Sequence, residues 1–273
     1  MDDWAALRLQ MEWGADEALV FLPINRLQAR SASTTAAPTQ LAETLFAPAT
    51  RMPDVAGRPT GAMAAIDAVG ASAAAEALAA ACTTIAELRS VVAGFTLCAL
   101  RDTATSLVFA EGNATSGLML IGDAPAADED RAGRPFTGAA GDYLDRMLSS
   151  VGLDRTQMLL APLIPWRPPG DRMPSPTELA ACLPFLWRLI ALVAPRHVLL
   201  LGPNAARCLL PASNRRRSRG IWANMQVPGI AAPIAALTSS SPAALLTQPR
   251  LRREVWADLR KVRRELENKV TSP

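Results

Sequence analysis

Apolar positions recur along this chain in two rhythms. From Ala71 onward, Ala75, Leu78, Ala79, Cys82, Ile85, Leu88 and Val92 fall at helical spacing, which predicts one helix running to Gly94. Short continuous apolar runs follow: Leu118 to Ile121 closed by Gly122, Met158 to Leu163, Val198 to Leu201 closed by Gly202, and Pro233 to Leu237. Runs of this length read as buried strands. Between them the helical rhythm returns, at Leu144, Met147, Leu148 and Val151, and again at Val255, Leu259, Val262 and Leu266 on one stripe of a closing helix over 251–266. Ser175-Pro176-Thr177-Glu178 is a capping box with proline at the first helical position, so a helix starts there.

Strands alternating with helices predict an α/β fold: a central, mostly parallel four-stranded sheet with helices on both faces. Ligands of such sheets bind beyond the carboxyl ends of the strands. The segments after Ile121, Leu163, Leu201 and Leu237 are therefore the ones to search for chemistry.

The N-terminal part reads differently. Residues 4–20 form a short amphipathic pattern with Leu7, Met11 and Leu19 among charges, and 30–70 are rich in Ala, Ser, Thr and Pro. We expect an N-terminal helix plus flexible linker over 1–70 and a folded domain over 71–270. Met1-Asp2-Asp3-Trp4 is acidic and lacks the pattern of a signal peptide. The most apolar run, Leu183 to Pro195, contains Arg188 and is shorter than the roughly 20 residues of a spanning helix. No membrane segment is expected.

Composition narrows the chemistry. Half of the 273 residues are hydrophobic, enough for a sizeable core, and 28 Lys+Arg against 25 Asp+Glu leave a net charge of +3, too small to announce a nucleic-acid binder. Cys82, Cys98, Cys182 and Cys208 are dispersed, with no C-x-x-C, so a reducing cytoplasm is expected rather than secretion. The one histidine, His197, excludes a zinc site built on several histidines. It opens the third strand, where a structural role is the plainer reading.

The loops after the strands carry a resemblance. Gly122-Asp123-Ala124-Pro125-Ala126 through Glu129-Asp130, Gly133, Pro135-Phe136 and Gly138 resembles the first motif of the type-4 uracil-DNA glycosylases, roughly G-E-A-P-G-x-x-E-D-x-x-G-x-P-F-x-G, at nine of its eleven defined positions. Trp166-Arg167-Pro168-Pro169-Gly170-Asp171-Arg172 is similar to the family's R-P-P-G-N-R loop, and Cys182-Leu183-Pro184-Phe185-Leu186 and Leu201-Gly202 fall where it has C-x-P-x-L and L-G. Ser241-Pro242-Ala243-Ala244-Leu245-Leu246-Thr247-Gln248-Pro249 looks like its H-P-x-x-L-L-R-x-P segment. The resemblance spans residues 95–266. It implies a three-layer α/β/α sandwich and a base-excision activity that flips uracil out of DNA and hydrolyses its N-glycosidic bond.

Residue by residue, the resemblance implies a pocket at Gly122, Ala126, Phe136, Pro162 and Ser241, with Asp123 as the catalytic candidate. Phe136 matches the aromatic on which the flipped base stacks; otherwise it is a core phenylalanine after a turn. Asp123 stands for the family glutamate, one methylene shorter, and either orients the hydrolytic water or caps the following turn. Ala126 replaces a glycine, and its methyl narrows the pocket mouth. The family's T-N pair, whose asparagine reads the uracil edge, falls on Ala161-Pro162, and proline has no side-chain polar atom and no N–H. The family histidine falls on Ser241, whose hydroxyl donates one hydrogen bond and carries no positive charge.

The family often carries an iron–sulfur cluster on four cysteines. Cys98 and Cys182 match two of those positions, while Phe95 and Trp166 occupy the others. We expect no cluster and no other cofactor, with Cys98 and Cys182 as neighbouring free thiols and Cys82 and Cys208 as apolar packing. Arg167, Arg172 and Arg219, with the run Arg215-Arg216-Arg217, are candidate DNA contacts; their plainer reading is a solvated loop. Leu245 and Leu246 lie where the family wedges into the duplex, or simply pack. A monomer acting on DNA is expected. Two readings remain: a glycosylase of weakened or altered activity, and a catalytically silent DNA- or protein-binding module.

Overall fold

The structure is a computed structural model and describes residues 61–211 and 219–268. The expected helix over 4–20 and most of the expected linker lie outside the described residues. Helices α1 (Gly61–Ala81), α2 (Ile85–Gly94) and α3 (Leu100–Thr103) precede the sheet. The strands are β1 (Glu111–Gly112), β2 (Leu118–Gly122), β3 (Leu159–Pro162), β4 (His197–Leu201), β5 (Trp222–Met225) and β6 (Ile234–Ser239). Around them lie α4 (Ala127–Ala132), α5 (Gly138–Ser150), α6 (Pro176–Val193), α7 (Pro203–Leu209), α8 (Pro242–Thr247) and α9 (Arg252–Asn268).

The sheet order is β1-β3-β2-β4-β6-β5. The four strands read from the sequence form its centre, β3-β2-β4-β6, all parallel. The sheet is nonetheless six-stranded and mixed: β1 and β5 add antiparallel edges. These edges are short, and β5 is only half-buried, so neither produces an apolar run in the sequence.

Period-two alternation sorts the strand residues into two layers. Met119, Ile121, Leu159, Ala161, Val198, Leu200 and Ala236 face a core shared with α1, α2, α6 and α7. Leu118, Leu120, Leu160, Leu199, Leu201 and Leu237 face a second core with α5, α8 and α9. The result is the α/β/α sandwich. Both faces of β2 and β4 are covered, which is why these strands read as unbroken apolar runs.

The helix expected to run unbroken from Ala71 to Gly94 is two helices. It starts ten residues earlier, at Gly61, and stops at Ala81. Thr84 then caps α2: its hydroxyl accepts the Glu87 N–H at 3.1 Å while Glu87 accepts the Thr84 N–H at 3.2 Å. The Thr-x-x-Glu capping box was there to be read. Ala71, Ala75 and Ala79 line the buried stripe of α1, which packs along α6, and small side chains permit that approach. Leu78, by contrast, is largely exposed. Arg188 of α6 donates two hydrogen bonds, of 2.9 and 2.5 Å, to the Cys82 carbonyl and so closes the end of α1. The expected Ser175 capping box on α6 is present, with both bonds made. By length and composition α6 is the described helix that is apolar enough to cross a membrane. Here its apolar residues Ala181, Cys182, Phe185, Leu186, Leu189 and Ile190 are buried in the first core.

Candidate active site at the carboxyl ends of the strands

Four parallel strands end on one rung. Pro162 pairs with Gly122, Gly122 with Leu201, and Leu201 with Ser239. Beyond that rung opens a cavity of about 220 Å³, walled by Gly122, Asp123, Ala126, Glu129, Phe136, Pro162 and Ser241. All six residues chosen from the sequence for the pocket and its chemistry thus share one cavity.

Phe136 is buried and sits in a left-handed conformation, φ 54, which a phenylalanine adopts only under constraint. Three contacts impose it. The Glu129 carboxylate accepts the Phe136 N–H at 2.6 Å, Arg155 donates to the Phe136 carbonyl at 2.5 Å, and the ring comes down on Gly122. A Cβ at Gly122 would stand 2.7 Å from the ring Cζ, so any larger residue here would force the Phe136 ring to move.

Glu129 was not singled out in the sequence, and it organises this wall. Its second oxygen accepts the Ala126 N–H at 2.8 Å. Burial pushes its carboxyl above the ordinary range, against the pull of those two N–H bonds. The neighbouring Asp130, also buried, accepts the N–H groups of Thr105 and Ser106 at 2.9 and 3.1 Å. The adjacent Glu-Asp pair therefore ties two separate backbone segments, and acidic residues at the start of a helix were the signal. Ala126 has an ordinary extended backbone (φ −92), so no glycine conformation is required there.

Asp123 does not cap the turn that follows it. Its Oδ1 accepts the Ala205 N–H at 2.8 Å, at the first turn of α7 across the sheet. Gly202, at φ 125, makes room: a Cβ there would lie 2.4 Å from Asp123 Oδ2. Burial raises the Asp123 pKa above the usual aspartate value, partly offset by the amides of Ala205 and Asn204 and by Arg207.

Ser241 is the N-cap of α8, its hydroxyl oxygen accepting the Ala244 N–H at 3.3 Å. Pro162 contributes only carbon to the cavity wall apart from its carbonyl. His197 lies at the opposite, amino end of β4, buried 5.3 Å from the Trp222 ring. It is remote from the cavity by topology.

The candidate DNA contacts are dispersed along the surface. Arg167 pairs with Asp171 at 2.7 Å, Arg172 with Glu178 at 2.5 Å, and Arg219 with Glu254 at 2.6 Å. Arg215, Arg216 and Arg217 lie outside the described residues. Of the two leucines at the expected wedge position, Leu245 is buried in the second core, whereas Leu246 beside it is exposed.

Cys98 and Cys182 do meet, with sulfurs 3.7 Å apart in the first core. That is beyond the roughly 2.05 Å of a disulfide. Phe95, whose ring packs edge-on against Phe185 at 5.0 Å, and the buried Trp166 belong to the same core. Two thiols and two aromatic rings do not fit a cluster that needs four thiolates. Among the described residues no group of three or more His, Cys, Asp or Glu is placed to hold a metal ion.

Comparison with known proteins gives a consistent set of matches. The profile of the uracil DNA glycosylase superfamily matches residues 109–260. A type-4 uracil-DNA glycosylase of Pyrobaculum aerophilum is 34% identical over 178 residues, 63% of this chain and 90% of the relative. Those of Archaeoglobus fulgidus and Saccharolobus solfataricus are 34% and 33% identical over 170 and 165 residues, covering 84% and 76% of their own lengths.

Proposed function

The chain belongs to the uracil-DNA glycosylase superfamily and is type-4-like, and on that premise we propose that it acts on DNA in base-excision repair, with uracil excision weakened or altered by its own pocket residues. The observation that carries this reading is the single cavity that unites Asp123, Phe136, Pro162 and Ser241 at the strand ends. In the reaction, water bonds to the sugar C1′ of a flipped nucleotide, the C1′–N bond breaks, and the base leaves with a proton. Phe136 offers the stacking face. Asp123 accepts a hydrogen bond from the attacking water and holds it toward the sugar.

What weakens the reaction is equally local. Pro162 has no donor for the uracil edge, so discrimination for uracil falls. Ser241 donates one hydrogen bond to charge developing on the base and supplies no positive charge. Of the two leucines at the wedging position, Leu246, exposed on α8 behind this wall, takes that role, and the buried Leu245 packs. No iron–sulfur cluster takes part, because the donor set lacks two of its four thiolates. The protein works in the cytoplasm as a monomer.

The test is base excision on single- and double-stranded uracil oligonucleotides, with Asp123→Asn as control. Abasic sites that form with the parent chain and vanish with the control support a working glycosylase. No product, with salt-sensitive DNA binding retained, favours the second reading, a silent DNA-binding module. That reading is favoured by Pro162, which gives the cavity wall no side-chain donor or acceptor for a base.

A further inference from the structure

Helix α9 carries two faces. Val255, Leu259 and Val262 are buried in the second core. On the opposite face Arg253, Trp256, Arg260 and Arg264 are all exposed. At about 100° per residue these four fall within a stripe about 80° wide. Among the described residues none of Arg253, Arg260 and Arg264 pairs with a carboxylate, while Arg260 stacks over the Trp256 ring at 4.8 Å.

The acidic residues of α9 do not neutralise this stripe. Glu254 is held by Arg219 and Glu267 by Arg263. Asp258 is buried, accepting the Ser239 hydroxyl at 2.8 Å beside Lys261. Glu265 lies on the flank of the helix, about 100° around from Arg264.

The stripe also connects to the cavity. Arg252, in the first turn of α9, donates to the Leu245 carbonyl of α8, whose N-terminal residues Ser241, Pro242 and Ala243 line the cavity. Arg252 and Arg146 both lie over the Tyr143 ring, at 5.1 and 5.4 Å. Guanidinium groups interleaved with aromatic rings thus begin behind the cavity wall and continue along α9.

We propose that this face of α9, from Arg252 to Arg264 together with Tyr143 and Arg146, is a second DNA-contact surface that holds the phosphodiester backbone outside the base pocket. From Arg253 to Arg264 the helix rises about 16 Å, the length of about five nucleotides at 3.4 Å each. Guanidinium groups contact phosphate at any sequence, and the exposed indole offers a stacking face to an unpaired base. The surface deepens the reading of a DNA-acting protein and does not depend on excision.

The test uses the full chain and uracil-free oligonucleotides, with binding measured by fluorescence anisotropy from about 50 to 200 mM salt. The variant Arg253→Gln/Arg260→Gln/Arg264→Gln, shown to be folded by its circular-dichroism melt, should bind duplex with a log K versus log salt slope smaller by up to about 2.7. Its affinity at the low-salt end should fall about tenfold or more. Quenching of tryptophan fluorescence by single-stranded DNA should be lost in Trp256→Phe. A parent chain that binds DNA with a slope unchanged in the triple variant overturns this surface and leaves the pocket reading intact. A parent chain that binds no DNA at any salt overturns both.

Discussion

The Glu129 carboxylate and the Phe136 backbone N–H meet at 2.6 Å. That bond holds the pocket's aromatic ring in a backbone conformation it would not adopt alone. Removing the acceptor leaves the Phe136 and Ala126 N–H groups without their partner. Glu129→Ala should lose about 1–3 kcal/mol of stability in denaturant unfolding. Affinity for uracil-containing DNA should fall with it. Glu129→Gln keeps one oxygen acceptor and should recover part of both.

Gly122→Ala probes the same ring from below. Its methyl would meet Phe136 Cζ at 2.7 Å and Cε1 at 2.9 Å. The ring must move, at a cost of about 1–3 kcal/mol by the usual measure of overpacking. Unfolding midpoints should drop, and binding of uracil-containing DNA should drop further than that of uracil-free DNA.

Asp123 makes a signed pH prediction. Burial raises its folded pKa above the unfolded value of about 3.9. A raised acid binds its proton more tightly in the folded state, so its contribution to stability is full below the unfolded pKa and is lost as pH rises through the folded one. The stability of the parent chain relative to Asp123→Asn should therefore be greatest in acid and shrink with rising pH across that window. Urea melts of both chains at several pH values measure it; a difference that grows with pH contradicts the raised carboxyl.

Ser241 and Pro162 invite restoration. Ser241→His removes a helix cap worth about 0.5–2 kcal/mol, so the single variant should melt earlier than the parent. Combined as Pro162→Asn/Ser241→His, the chain should excise uracil faster than the parent in the same assay. An unchanged or slower rate would count against these two positions as the seat of the weakened activity.

The thiols supply a further check. Cys82, Cys98 and Cys182 are buried. A thiol reagent should modify them slowly in the native chain and quickly in denaturant. Iron and sulfide added under reducing conditions should produce no visible cluster absorption.

Much of the fold was legible because of where the strands lie. β2 and β4 are covered on both faces, so burial alone wrote unbroken apolar runs closed by glycine. β1 and β5 are edges with mixed burial, and no period survives in so few residues. The break between α1 and α2 is hidden because Cys82, Ile85 and Leu88 keep helical spacing across it; its local signal is the capping box at Thr84 and Glu87. In the site, Gly122, Asp123, Phe136, Pro162 and Ser241 were found through motif register. Glu129 was not, because its work is done on backbone N–H groups that a sequence does not display. Leu245 and Leu246 are adjacent and chemically identical, and only the helix phase of α8 decides which one faces outward.

Arg188 holding the Cys82 carbonyl has a consequence for where this protein can be cut. The family profile begins at residue 109, yet Ala75, Leu88, Val92, Phe95, Cys98 and Leu100 lie in the same core as the strands. A chain begun at residue 109 would strip one wall from that core, bare Cys182, and leave the Arg188 guanidinium without its acceptor. The unit of folding therefore begins ahead of the stretch the family profile matches, and any shortened version meant to stay soluble must keep the helices that precede residue 109.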